Sequence, residues 1–150
     1  MANFRRGTLA ICLIVAMVCC GRGPARADDA ASVSTADHKA IEQVITSQLD
    51  AFRRDAGAAA FSFASPHIQS VFGDAAHFMA MVRQGYPPVY RPRSFKFEKL
   101  ITIKERIVQR VMIIGPDGSA ALALYKMERE QDGTWRIDGC ALTQTDGLNT

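Results

Sequence analysis

The sequence predicts an α+β domain in which N-terminal helices pack on one face of a curved antiparallel sheet. Three observations predict it. Apolar side chains recur at helical spacing over residues 36–84. From residue 95 onward they fall into β-type runs separated by turn signals. Between the two regimes lies residues 86–93, a segment holding Pro87, Pro88 and Pro92.

Residues 1–27 stand apart from this pattern. Arg5 and Arg6 precede an apolar run from Leu9 to Cys20, and Ala25-Arg26-Ala27 then supplies small residues where a signal peptidase reads them. The run is shorter than the roughly 20 residues that a spanning helix requires. It therefore reads as a cleaved signal that leaves no stable membrane span and directs the mature chain to the periplasm or outside the cell. Arg5, Arg6, Arg22 and Arg26 would leave with it, whereas all 15 Asp and Glu of the 150-residue chain would stay. The mature chain is then within one charge of neutral, which removes the electrostatic case for a nucleic-acid partner or an anionic membrane surface. Cys12, Cys19 and Cys20 would also leave, so an intramolecular disulfide is ruled out and Cys140 reads as a buried strand residue.

Residues 28–35 are small and polar, a flexible leader, and a single domain follows over 36–145. Thr35 is placed to cap a helix over 36–54, whose Ile41, Val44, Ile45, Leu49 and Phe52 make one apolar stripe. Gly57 breaks it, 58–64 reads as a short helix, and Pro66 opens another turn through Val71. Asp74 starts a helix over 75–84 with Phe78, Met79, Met81 and Val82 on a broad apolar face, ended by Gly85. The prolines should hold 86–93 extended. Strands are expected over 95–103, 107–114, 120–130 and 134–143, with turns at Gly115-Pro116-Asp117-Gly118 and Gln131-Asp132-Gly133. Strict alternation in the last strand sets Trp135, Ile137, Gly139 and Ala141 against Arg136, Asp138, Cys140 and Leu142.

The stretch IEQVITSQLDAFRRD at 41–55, the segment YPPVYRPRS at 86–94 and the closing Trp135-Arg136-Ile137 together resemble the nuclear transport factor 2-like superfamily. In detail the chain looks like an exported bacterial domain-of-unknown-function family within it. The resemblance covers about residues 36–143 and implies a cone whose open end serves as a small-molecule pocket. It leaves function open, because that superfamily includes isomerases, dehydratases, hydrolases, binding modules and dimerisation domains.

No sharp catalytic, metal or cofactor motif is present: there is no phosphate-binding glycine loop, nucleophile elbow or HExxH, and no paired-cysteine signature. His38, His67 and His77 follow no recognised ligand spacing, so neither a metal nor a cofactor is expected. The run Arg91, Arg93, Lys96, Lys99, Lys104, Arg106 and Arg110 divides between strand faces and reads as solvated. Residues 86–93 remain the most distinctive segment. Tyr86, Tyr90, Arg91 and Arg93 would suit a small anionic or aromatic ligand, since guanidinium forks grip carboxylate or phosphate and the rings stack. The same segment reads more economically as a structural bridge, with its tyrosines in the core and its arginines on surface carboxylates.

Three functions are consistent with these residues. The first is a non-enzymatic module binding a ligand or partner at the mouth of the cone through Tyr86, Tyr90, Arg91 and Arg93. The second is an acid–base enzyme of the isomerase or hydrolase kind, drawing on Asp50, Asp55, Asp138, Tyr86, Tyr90 or Tyr125. The third is a homodimerisation module that buries its outer sheet face through Leu122, Leu124 and Leu142.

Overall fold

The computed structural model describes residues 33–144. The expected export signal over 1–27, most of the leader and residue 145 lie outside the described residues. Five helices, α1 (Thr35–Arg53), α2 (Gly57–Ser62), α3 (Pro66–Phe72), α4 (Ala75–Gly85) and α5 (Pro87–Tyr90), come first. Four strands follow, β1 (Ser94–Ile103), β2 (Arg106–Ile114), β3 (Ala120–Arg129) and β4 (Trp135–Gln144). They pair antiparallel in the order β1-β2-β3-β4, and the class is α+β.

Helices α1, α3 and α4 start where a side chain accepts a free backbone N–H, whereas α2 and α5 have no side-chain cap. Ser34, one residue before the expected Thr35, caps α1 by accepting from Asp37 N at 3.1 Å. Asp37 in the first turn and Arg53 in the last complement the helix dipole. The apolar stripe holds: Ile41, Ile45, Leu49 and Phe52 are all buried. Ser65 caps α3 with Pro66 in the first turn, and Asp74 caps α4 by accepting from His77 N at 2.9 Å. Gly57 is required by close approach, because a Cβ there would lie 2.9 Å from Met79 Cγ.

Phe78 of α4 joins the helical layer. Its ring lies 6.0 Å from Phe52 of α1, 5.2 Å from Phe61 of α2 and 5.6 Å from Phe72 of α3. These tilted and edge-on separations are the favourable ones for aromatic pairs. Beneath the helices the inward sheet face presents Val111, Ile113, Ala121, Ala123, Tyr125, Met127, Trp135 and Ile137, all buried.

Three local features depart from the expected pattern. The segment after α4 is not extended throughout: Pro87 opens the short helix α5, with Tyr90 N and Arg91 N donating to the carbonyls of Tyr86 and Pro87 at 2.9 and 3.0 Å. Proline's fixed φ fits a first helical turn as well as an extended chain, and burying Val89 decides between them. The β1–β2 hairpin turns on Lys104 and Glu105, both at positive φ (47° and 63°), the two-residue geometry usually given to Asn-Gly. β1 also carries an extra residue between Phe97 and Leu100. Fully buried Gln109 serves that irregularity, its Nε2 donating to Glu98 O at 2.7 Å and to Arg110 O at 2.9 Å.

Candidate ligand cavity

The site begins with one residue too many in β4. Tyr125 pairs with Cys140 and Lys126 with Gly139, but Met127 pairs with Ile137, so Asp138 is a bulge. Gly139 takes φ 148°, which side chains rarely adopt. The bulge reverses the expected alternation beyond it. Cys140 and Leu142 join Trp135 and Ile137 on the inward face, and Gly139 and Ala141 turn outward. Leu142 thus packs against the core, whereas Leu122 and Leu124 stay on the outer face.

The displaced Asp138 is the buried carboxylate among the described residues. It is 5% exposed, accepts from Ser65 Oγ at 2.8 Å, and lies 2.9 Å from Lys126 Nζ and 3.5 Å from Arg106 Nη1. Burial raises its pKa, but the contacts from Lys126 and Ser65 together outweigh burial and hold the carboxyl below its ordinary value. The same region docks α3 on the sheet: Ser65 N donates to Ile137 O at 2.8 Å, and Ile137 N to Phe63 O at 2.9 Å.

Between sheet and helices lies a cavity of about 460 Å³. Tyr125, Ile137, Gly139 and Cys140 line its sheet side, and Gln48 and Phe52 of α1 line another wall. Ile68 and Phe72 of α3, Phe78, Met81 and Val82 of α4, with Tyr86 and Val89, enclose the rest. Apolar side chains dominate, and the lining contains no Asp, Glu, Lys, Arg or His. The volume falls in the range of small-molecule pockets.

Three polar side chains of the lining behave differently. Tyr86 Oη donates to Cys140 O at 3.0 Å, tying the start of α5 to β4. Gln48 Nε2 donates to Ala60 O at 3.1 Å. The Tyr125 hydroxyl is fully buried and has no hydrogen-bond partner. Burial, and then the neighbouring Cys140, push its pKa well above the ordinary phenol value. Burial alone pushes the Cys140 thiol up to about 12. Both groups are therefore neutral at physiological pH.

The partly buried thiol yields a direct check. Near neutral pH, N-ethylmaleimide should modify Cys140 about a hundredfold more slowly than an exposed cysteine, because so little thiolate forms. Peptide mass mapping against time measures this, and labelling at the rate of a free thiol would contradict the partly buried position.

The remaining residues singled out from sequence are dispersed. Of Tyr86, Tyr90, Arg91 and Arg93, only Tyr86 lines the cavity. Tyr90 Oη donates to Asp55 Oδ1, Arg91 Nη2 lies 2.6 Å from Asp55 Oδ2, and Arg83 Nη2 lies 3.4 Å from Asp55 Oδ1. The Arg91 guanidinium also sits 4.7 Å from the centre of the Tyr90 ring. The Tyr90 hydrogen bond, with Arg91 and Arg83, keeps the Asp55 carboxyl below its ordinary value. Asp55 itself takes φ 54°, a left-handed turn that closes α1. Arg93 Nε donates to Pro116 O at 2.9 Å in the β2–β3 turn. Asp50 pairs with Arg53, and His77 with Asp74. Among the described residues no three His, Cys, Asp or Glu are grouped to hold a metal.

Gln48, Phe52 and Cys140 were not legible as site residues, and Tyr125 was named only as an acid–base candidate. Their types are those of ordinary core positions. The one available signal is a tyrosine hydroxyl on an otherwise apolar inward face.

Fold and cavity together define a small α+β domain with a half-open cavity lined without charged side chains. The chain belongs to the family described as Domain of unknown function (DUF4864), whose model matches residues 34–150. A search of the curated proteins finds no match.

Proposed function

We propose that this protein is an exported, non-catalytic binding module of the nuclear transport factor 2-like kind, whose cavity takes a small, uncharged, largely apolar or aromatic ligand. The observation that carries the reading is the chamber of about 460 Å³ lined without a single charged side chain. An anion entering it would shed water with no cation to meet it, which is costly. Arg91 and Arg93, whose guanidinium groups would suit an anionic ligand, are engaged elsewhere, Arg91 on Asp55 and Arg93 on Pro116 O. The acid–base alternative lacks a general base here, since Tyr125 and Cys140 are both held protonated and no carboxylate or imidazole lines the cavity. Export rests on residues 1–27. No helix among the described residues is long and apolar enough to cross a membrane.

The test uses N-phenylnaphthylamine, a neutral apolar dye that brightens when it leaves water. Saturable binding at one dye per chain is expected. Met81→Trp, which fills the half-buried wall of α4, should abolish it, while Val71→Trp, on a side chain 62% exposed and outside the lining, should not. Absence of saturable binding, or equal binding by both variants, would remove the proposal.

A further inference from the structure

The polar groups of the cavity narrow the ligand class further, on the footing that the cavity is a ligand site. Gln48 Nε2 gives one of its two N–H groups to Ala60 O and Tyr86 Oη donates to Cys140 O, so of the strong side-chain donor groups in the lining the Tyr125 hydroxyl is the one that makes no hydrogen bond at all. A buried hydroxyl without a partner is unusual, because it forfeits its hydrogen bonds to water and receives nothing in return. Tyr125 lies on the inward face of β3, directly opposite Cys140, and both line the chamber. A phenol that remains protonated keeps its O–H to donate to an incoming acceptor, and no lining cation is present to balance a negative one.

We infer that the ligand is an uncharged molecule with an apolar body and a carbonyl-type acceptor, and that Tyr125 recognises it by donating a hydrogen bond to that oxygen. Apart from Gln48, the rest of the lining supplies chiefly apolar contact area. Tyr125 therefore discriminates between ligands of equal apolarity according to whether they carry the acceptor.

Three matched fluorophores test this: a dimethylaminonaphthalene bearing a propionyl ketone, the same naphthalene without the ketone, and its carboxylate analogue. Each is titrated into the wild-type protein and into Tyr125→Phe. The ratio of ketone to parent affinity should fall about tenfold in Tyr125→Phe, the loss expected of one buried hydrogen bond. The parent's affinity should be the same in both proteins, and the carboxylate should be the weakest of the three. Tyr125→Phe should melt no lower than wild type, because its hydroxyl has no partner to lose. If ketone and parent keep the same ratio in Tyr125→Phe, or if the carboxylate binds best, the inference fails while the apolar cavity stands. If none of the three binds, both readings fail.

Discussion

Phe78→Ala is expected to lower the stability of the domain by about 3–5 kcal/mol, the usual loss for a fully packed phenylalanine. Small domains hold only about 5–15 kcal/mol in total, so the variant would stand near its folding limit. The value belongs at the upper end because of what the ring touches. Phe78 contacts rings from α1, α2 and α3, at 6.0, 5.2 and 5.6 Å, and is the aromatic contact common to all four major helices. Removing it also opens the existing cavity, since Phe78 lines it, and neighbours already facing empty space cannot collapse to compensate. Urea unfolding followed by the fluorescence of Trp135, the chain's single tryptophan, measures the change. That reporter is well placed, buried on β4 with its Nε1 donating to Asp37 Oδ1 at 2.9 Å across to α1. Val71→Ala, on an exposed side chain of the neighbouring helix, serves as the control and should change stability by less than about 0.5 kcal/mol. A loss below 1 kcal/mol for Phe78→Ala would mean that the helical layer is not built around this ring.

The contrast between Phe78 and Asp138 explains what could be read from the amino-acid order. Helix positions follow a 3.6-residue spacing that tolerates small errors. The stripe Ile41, Val44, Ile45, Leu49 and Phe52 therefore identifies α1, and Phe78 with Val82 identifies α4. Strands have a period of two, and one additional residue inverts every assignment beyond it. Nothing in Ile137-Asp138-Gly139-Cys140 announces such a residue except the glycine, and glycine in a strand has several explanations. Consequently β4 was located correctly while Cys140 and Leu142 were assigned to the wrong face. The tight turn at Lys104 and Glu105 escaped notice for a related reason, because neither residue type advertises positive φ.

A pocket is implied by the resemblance, but the residues that line it are hidden by a different cause. A chamber consists of unfilled volume, which depends on how helices and sheet are spaced, and its lining uses the residue types that fill any core. By contrast, Tyr90 and Arg91 drew attention by their chemistry, yet that chemistry is directed to Asp55. Their partner lies 36 residues away from Arg91 in the chain, at a turn whose left-handed conformation brings the carboxylate within reach. Pairings at such separation follow from the fold, and local spacing does not encode them.

Asp138→Ala is expected to cost about 2–4 kcal/mol, and Asp138→Asn about half as much. The alanine variant leaves Ser65 Oγ, itself fully buried, without its acceptor and removes the charge that holds Lys126. Lys126 and Arg106 are partly exposed and can turn to solvent, which keeps the cost under the extreme seen for fully enclosed ion pairs. Asparagine retains an acceptor for Ser65 and loses only the charge-assisted part. The pH dependence separates this account from simple loss of packing. Because the folded carboxyl titrates below its ordinary value of 3.8, its contribution is complete above that pH. It disappears as the pH falls through the lower folded value. Wild type should therefore be more stable than Asp138→Asn at neutral pH, and the two stability curves should converge in the acid limb, where protonated Asp138 resembles the amide. Denaturant unfolding across that range provides the curves, and parallel curves would show that the charge contributes nothing. The same variants bear on the cavity. Asp138 and Ser65 fasten the start of α3 to the β4 bulge, and Ile68 and Phe72 of that helix form part of the lining. If the clamp sets the shape of the chamber, dye affinity should fall in the order wild type, Asp138→Asn, Asp138→Ala under conditions where all three remain folded. Equal affinities would show that α3 keeps its place without the clamp.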